Sequence, residues 1–410
     1  MKERPAISGL FLIIAVSAFL APIDSAAGGA KAKLRAMTQN QYLGADLAPI
    51  VAAETPGEFN AAVILALSDV AANNYPERVQ SLAATIADRS PHLVGLQEMF
   101  AFQCTPSSFT IPDPCATFGP AFNDHLTETL NALNADGETY YEAATVKNLS
   151  LDFVFPGPTS VFGIPGLPVF LDFDLLPDIF VTVIDRDVIL ARSDVLATPT
   201  PFLCDKPSMD GCNFVNVAGT IVAGVSINIE RGFVAVDATV NGDDFRYANT
   251  HLEVRLPDPT DPLSMGLQAQ QATELLIALT SHPEPAGSRV ILVGDFNSDP
   301  GDVPPAPFLT PYRQIVNGLA IDGSPVSLPF SDTWLLRQKD EPGLTCCEDG
   351  HLMNATSIHQ RRVDIIFSKS APDKVNASKV LNTKPGDKTP SGLWPSDHAT
   401  VDAMLIYDNR

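Results

Sequence analysis

Short runs of aliphatic and β-branched residues recur along this chain, and many of them close on one or two polar side chains. The clearest is Val290-Ile-Leu-Val-Gly-Asp-Phe-Asn-Ser-Asp299. An apolar run of this length, bounded by turn-forming residues, predicts a buried strand. After Gly294, Asp295 and Asn297 stand two positions apart, and positions i and i+2 of an extended chain share a face. An acid and an amide are thus set side by side at the end of a rigid apolar element. A strand interior has no use for that pair; a hydrolytic site does.

The pattern returns in Met37-Thr-Gln-Asn40, Leu93-Val-Gly-Leu-Gln-Glu98, Ala248-Asn-Thr-His-Leu252 and Arg362-Val-Asp-Ile-Ile-Phe367. It returns again in Trp394-Pro-Ser-Asp-His398, just before the apolar run Ala399 to Ile406. Strands are also expected at Phe233–Val240, Phe245–Asn249 and Val363–Phe367. Residues 58–90 carry helical periodicity instead: Phe59, Val63, Leu67 and Val70, then after Pro76 the set Val79, Leu82 and Ile86. A second helix is expected from Met265 to Thr280, through Leu267, Ala272, Leu275, Leu276 and Leu279. Helices feeding strands predict a layered α/β domain. No repeat of fixed period is present.

Two stretches break the pattern. Residues 101–125 read as a loop holding two cysteines. Residues 153–182 are rich in Phe, Leu and Val, yet Pro and Gly rule out a regular helix or central strand. Such a segment either folds under itself as core or stands exposed as a contact surface.

The N-terminus is a separate matter. Lys2 and Arg4 precede the apolar run Ile7 to Ala21, and small residues follow at Ser25-Ala26-Ala27. This predicts a signal peptide over residues 1–27 and a secreted or periplasmic protein, the alternative being an uncleaved anchor. Export bears on the six cysteines, which fall as near neighbours: Cys104 and Cys115, Cys204 and Cys212, Cys346 and Cys347. An even count in an exported chain favours disulfides over zinc, for which no matching Cys-x-x-Cys pairs exist. Cys346 and Cys347 bridge each other or pair elsewhere.

The chain has 410 residues, 45% hydrophobic and 18% charged, enough for one large domain or two modest ones. Its formal charge of −22 lowers the odds of tight, non-specific nucleic-acid binding, though it leaves room for a local basic groove.

In this order, from about Ala36 to Ile406, the motifs resemble the endonuclease/exonuclease/phosphatase superfamily. Its members include deoxyribonuclease I-like nucleases, abasic-site endonucleases, inositol-polyphosphate 5-phosphatases and neutral sphingomyelinases. The resemblance implies a four-layer α/β sandwich, two packed mixed β-sheets flanked by helices, formed by residues 28–410 with an apolar insertion at about 153–182.

It also implies a site. Asn40 and Glu98 match the family's metal ligands and are hard oxygen donors suited to Mg²⁺, or to Mn²⁺. His398 is the expected general base, oriented by Asp364, and Asp397 resembles the family's second carboxylate near the metal. His251 resembles a general acid or a phosphate-oxygen stabiliser, with Asn249 two residues back on the same face. Asp295 is expected to orient the attacking water and Asn297 to hold a phosphoryl oxygen. Arg192, at the end of the Arg186–Arg192 strand, is a candidate phosphate contact.

Departures narrow the choice. Abasic-site endonucleases lack an export signal and a long apolar insert, and 5-phosphatases usually end on Cys-Asp-Arg where this chain has Ser396-Asp397-His398. The expectation is an exported Mg²⁺-dependent phosphodiesterase. Its substrate would be a phospholipid of the sphingomyelin kind, met at a membrane surface through residues 153–182, or a nucleic acid. A catalytically inactive binding module of the same fold is the rival from another class. No protein partner is expected.

Overall fold

Strand β1 (Ala32–Asn40) shows how the apolar runs are used. Ala32, Leu34 and Ala36 are buried on one face while Lys33 stays exposed, and from Met37 onward both faces are covered. The computed structural model of the chain describes residues 31–408 except 107–114, 116–118, 120, 136, 138, 156–178, 223–224, 255–261, 304–307 and 338–339.

Two large mixed sheets are built this way. The first runs, in spatial order, β16 (Lys374–Leu381), β17 (Thr400–Tyr407), β1, β2 (Leu93–Gln97), β5 (Ile179–Arg192) and β3 (Ala101–Pro106), with β4 (Tyr140–Phe155) also paired to β5. The second runs β14 (Ser331–Asp332), β15 (Asp364–Ser368), β13 (Arg289–Asp295), β12 (Asp243–His251), β11 (Gly232–Val240), β8 (Gly211–Asn213) and β7 (Pro207–Ser208). Strand β6 (Leu196–Pro199) pairs with β11, and β9 (Ala218–Val222) and β10 (Val225–Ile229) form a separate hairpin. The β1/β2 and β12/β13 pairs are parallel.

The inner faces of the two sheets meet in one core, in which Leu34, Ala36 and Ile189 pack with Val234, Tyr247 and Val293. Helices cover the outer faces. Helices α3 (Tyr75–Arg89) and α4 (His125–Leu133) bring Ile86 and Leu126 onto Val94 and Val188 of the first sheet. Helices α5 (Pro262–Ser281) and α6 (Pro311–Asn317) bring Leu275 and Ile315 onto Leu292 and Phe367 of the second. The result is the four-layer α/β sandwich. Next to the short α1 (Ala48–Val51), α2 (Pro56–Ala72) starts at a capping box between Thr55 and Glu58 and buries Phe59, Val63, Ala66, Leu67 and Val70.

Some sequence expectations need correction. Residues 101–106 are not loop but strand β3, because the edge of β5 offers them a full ladder from Ala101↔Ile184 to Pro106↔Ile179. The apolar insertion is narrower than 153–182: Phe153–Phe155 finish β4 and Ile179–Thr182 begin β5, paired in one ribbon. Its interior, residues 156–178, and the expected signal peptide at 1–27 lie outside the described residues. All six cysteines are paired, Cys104–Cys115, Cys204–Cys212 and the vicinal Cys346–Cys347, as suits an oxidising compartment. Among the described residues no helix is long and apolar enough to cross a membrane.

Candidate active site

Strand register brings the polar residues together. In the second sheet His251 of β12 lies directly opposite Asp295 of β13, which lies opposite Asp364 of β15. Neighbouring strands are about 4.8 Å apart, so the three side chains form a row at one sheet edge. In the first sheet β1 and β2 end together, Asn40 beside Gln97, with Glu98 next in sequence. The two sheet edges face each other, and Asn40 donates through Nδ2 to Glu98 Oε1 (3.1 Å) in its own sheet and to Asp295 Oδ2 (3.2 Å) in the other.

The backbone is bent to allow this. Gly294 has φ +146°, and a Cβ there would stand 1.9 Å from the Thr250 carbonyl oxygen. Glu98 (φ 56°) and Asn297 (φ 49°) are in the left-handed region, which is uncommon for non-glycine residues. The turn is held when Asp295 Oδ1 accepts the Asn297 N–H at 2.9 Å.

Asp295 is the hub. Its Oδ2 lies 3.4 Å from His251 Nε2 and 3.7 Å from His398 Nε2. His398 Nδ1 meets Asp364 Oδ2 at 2.8 Å. The backbone N–H of His398 donates to Ser396 Oγ, whose hydroxyl donates to the Asn40 carbonyl, tying the C-terminal loop to β1. Asn297 Nδ2 donates to the Leu252 carbonyl at 3.0 Å and lies 3.2 Å from His251 Nε2.

Charge states follow from these contacts. Burial alone would depress His398, but the carboxylates of Asp364, Asp397 and Asp295 together hold it well above the usual histidine range. Burial favours the protonated form of Asp295, yet the two imidazoles and its N–H donors keep it below the usual carboxylate range. Burial, with the Arg231 cation, pushes His251 down to about 3, so its ring is neutral. An arginine N–H can only donate, so His251 Nδ1 accepts from Arg231 Nη1 at 3.1 Å and the ring proton sits on Nε2, facing Asp295. In that arrangement the His251 ring offers an N–H toward Asp295. Burial raises Asp397 to about 7, and repulsion from Glu98 adds to the rise. Asp397 and Glu98 thus bring two carboxyl groups to one corner of the site. With the Asn40 amide alongside, that donor set fits a hard divalent cation.

Of the residues singled out from sequence, Asn40, Glu98, His251, Asp295, Asn297, Asp364, Asp397 and His398 converge here. Two do not. Arg192 sits beside the start of β2, at the opposite edge from Glu98, where it pairs with Asp194 and donates to the Ser90 carbonyl. Asn249 is fully buried between the sheets: its amide donates to the carbonyls of Leu96 and Val188, and its oxygen accepts from Gln97 at 2.6 Å. With every hydrogen-bonding group used, it has nothing left for substrate.

Other residues escaped sequence reasoning. Arg231 borders the site through His251 and lies 3.5 Å from Asp185. It follows an ordinary hairpin, with no motif around it. Arg78 is buried on α3 and donates to the carbonyls of Asn73, Gln41, Tyr42 and Pro395, clamping the loops that carry Asn40 and Asp397. The Thr345-Cys-Cys-Glu stretch is scaffold. Thr345 Oγ1 accepts the N–H groups of Val363 and Asp364, the Glu348 N–H donates to the Asp397 carbonyl, and Cys347 Sγ packs 3.7 Å from His398 Nε2.

A model of the Endonuclease/Exonuclease/phosphatase family matches residues 57–398. No curated protein sequence matches the chain. Among solved structures the chain is similar to an endonuclease/exonuclease/phosphatase family protein from Leptotrichia buccalis C-1013-b, at 16% identity and TM-score 0.45, covering 90% of this chain and 98% of that one. It is similar to an endonuclease/exonuclease/phosphatase from Beutenbergia cavernae DSM 12333, at 20% identity and TM-score 0.44, covering 92% and 72%. It is also similar to D. rerio TDP2 complexed with single strand DNA product, at 15% identity and TM-score 0.45, covering 91% and 98%.

Proposed function

The chain belongs to the endonuclease/exonuclease/phosphatase family, and from that premise we propose that it is an exported, divalent-metal-dependent phosphodiesterase acting on a phospholipid-like diester. The observation that carries the reading is the meeting of Asp295 Oδ2 with Asn40, His251 and His398 at the facing edges of two sheets. No requirement of the fold explains an ionised aspartate buried between two histidines. A binding module would have no need of it either.

Hydrolysis of a diester joins a water oxygen to phosphorus, breaks one ester P–O bond and delivers a proton to the leaving oxygen. Asp295 would orient that water. His398, braced by Asp364, would move the proton, and His251 Nε2–H and the Asn297 amide would hold phosphoryl oxygens. Asn40 and Glu98, with Asp397 beside them, would hold Mg²⁺ or Mn²⁺, whose charge would neutralise the phosphate and offset the carboxylates that keep His398 protonated.

Nucleic acid is the rival substrate. The formal charge of −22 argues against a broad basic face. Purified protein should hydrolyse sphingomyelin vesicles and leave plasmid DNA largely intact at 0.15 M salt. Efficient nicking that collapses with added salt, with vesicles untouched, would instead establish the nuclease.

A further inference from the structure

An apolar cavity opens beside the candidate site. Its volume is about 120 Å³. One wall is the inward stripe of α2, Val63, Ala66, Leu67 and Val70, at helical spacing. The facing wall is a patch of the β4/β5 ribbon, where Leu149 lies opposite Asp185 and Leu151 opposite Val183. Phe100 and Phe102 also line it.

Its polar lining is Glu98, Asp185, Glu230 and Arg231. Three of these groups cluster: Arg231 lies 3.5 Å from Asp185, and Glu98 acts electrostatically on both. Two of them also border the site. Glu98 is bonded to Asn40, and Arg231 donates to His251. The cavity therefore continues directly from the place where the phosphate would lie.

We propose that this cavity is a subsite for an alkyl chain carried by the phosphodiester, entered past Arg231 and Glu98. The inference rests on the phosphodiesterase reading and names its substrate class. Protein interiors are close-packed, so a space of this size is unusual. An apolar cavity of about 150 Å³ stays dry and takes up benzene, so this one has room for a few methylenes. A nucleobase would need partners for its polar edge, and the uncharged lining residues offer only hydrocarbon. The remaining side chains are charged and already partnered: Asp185 with Arg231, Glu98 with Asn40, and Glu230 with Lys206 and Asn213. The guanidinium at the junction gives direction: phosphate on the Arg231 and His251 side, chain toward α2.

The test compares p-nitrophenyl methyl phosphate with p-nitrophenyl hexyl phosphate. Each buried methylene is worth roughly fourfold in affinity, so KM should be at least about tenfold lower for the hexyl ester. Ala66→Leu, or the bulkier Ala66→Phe, should shrink that gap to about threefold or less and leave the methyl ester's kinetics unchanged. Calorimetric binding of hexyl against methyl phosphate reads the same preference without turnover. Tail-dependent binding that Ala66→Leu abolishes would support the subsite even if no diester were cleaved, and the phosphodiesterase reading alone would fall. Equal KM values with tail-independent binding would overturn the subsite, whether because a nucleotide is preferred or because the chain's own residues fill the space, and would leave the phosphodiesterase reading standing.

Discussion

Asp295 concentrates the account in one side chain. It is buried and ionised, and it touches Asn40 from one sheet and His251 from its own. Replacing it with Asn keeps shape but removes the charge that both imidazoles face. Asp295→Asn and His398→Ala should each lower kcat on bis-(p-nitrophenyl) phosphate by at least about a hundredfold, the scale of a lost proton-transfer group. Thermal melts taken alongside should stay close to wild type. A folded His398→Ala protein with near-normal kcat would remove the Asp364–His398 pair from the mechanism. Most of this site could be read in the sequence, since each member flanks an apolar run and sits in a recognisable motif. Arg231 and Arg78 could not, because what matters in them is reach across the fold: Arg231 to β12, Arg78 to two loops. Asn249 misled for the opposite reason. It sits in a functional motif, yet its amide is consumed in joining the sheets.

At the scale of elements, β13 sets the precision of the site. Gly294, at φ +146°, leaves no room for a side chain, since a Cβ there meets the Thr250 carbonyl of β12. Gly294→Ala should therefore cost at least about 2 kcal/mol by overpacking and backbone strain, and should push Asp295 out of line. Urea melts would show the loss, and kcat should fall further than the melt alone explains. A variant as stable and active as wild type would mean that β12 and β13 can separate without consequence. The strands with continuous apolar runs were legible because burial on both faces leaves that mark. Strand β3 was not, because its pairing comes from the edge of β5 and not from a pattern of its own. The extent of the β4/β5 ribbon was hidden similarly: Pro and Gly in the insert masked strands that continue on either side of it.

Across the whole molecule, buried neutral histidines couple stability to pH. His92 Nδ1 accepts the Arg35 N–H at 2.9 Å, and burial holds its imidazole down to about 4 from an ordinary 6.5. Its folded-state pKa is depressed, so its contribution is complete above about pH 6.5 and is lost as pH falls toward 4. Wild-type stability measured relative to His92→Asn, which keeps an acceptor but does not titrate, should fall steadily between pH 7 and pH 4. A constant difference would show that His92 titrates alike in both states. The central claim, however, is that these two sheets assemble a metal-dependent phosphodiesterase. Its most direct test is turnover of bis-(p-nitrophenyl) phosphate by purified protein, first in excess chelator and then with Mg²⁺ restored. The account predicts negligible turnover in chelator and full recovery with Mg²⁺; full activity in chelator, or none in either condition, would contradict it.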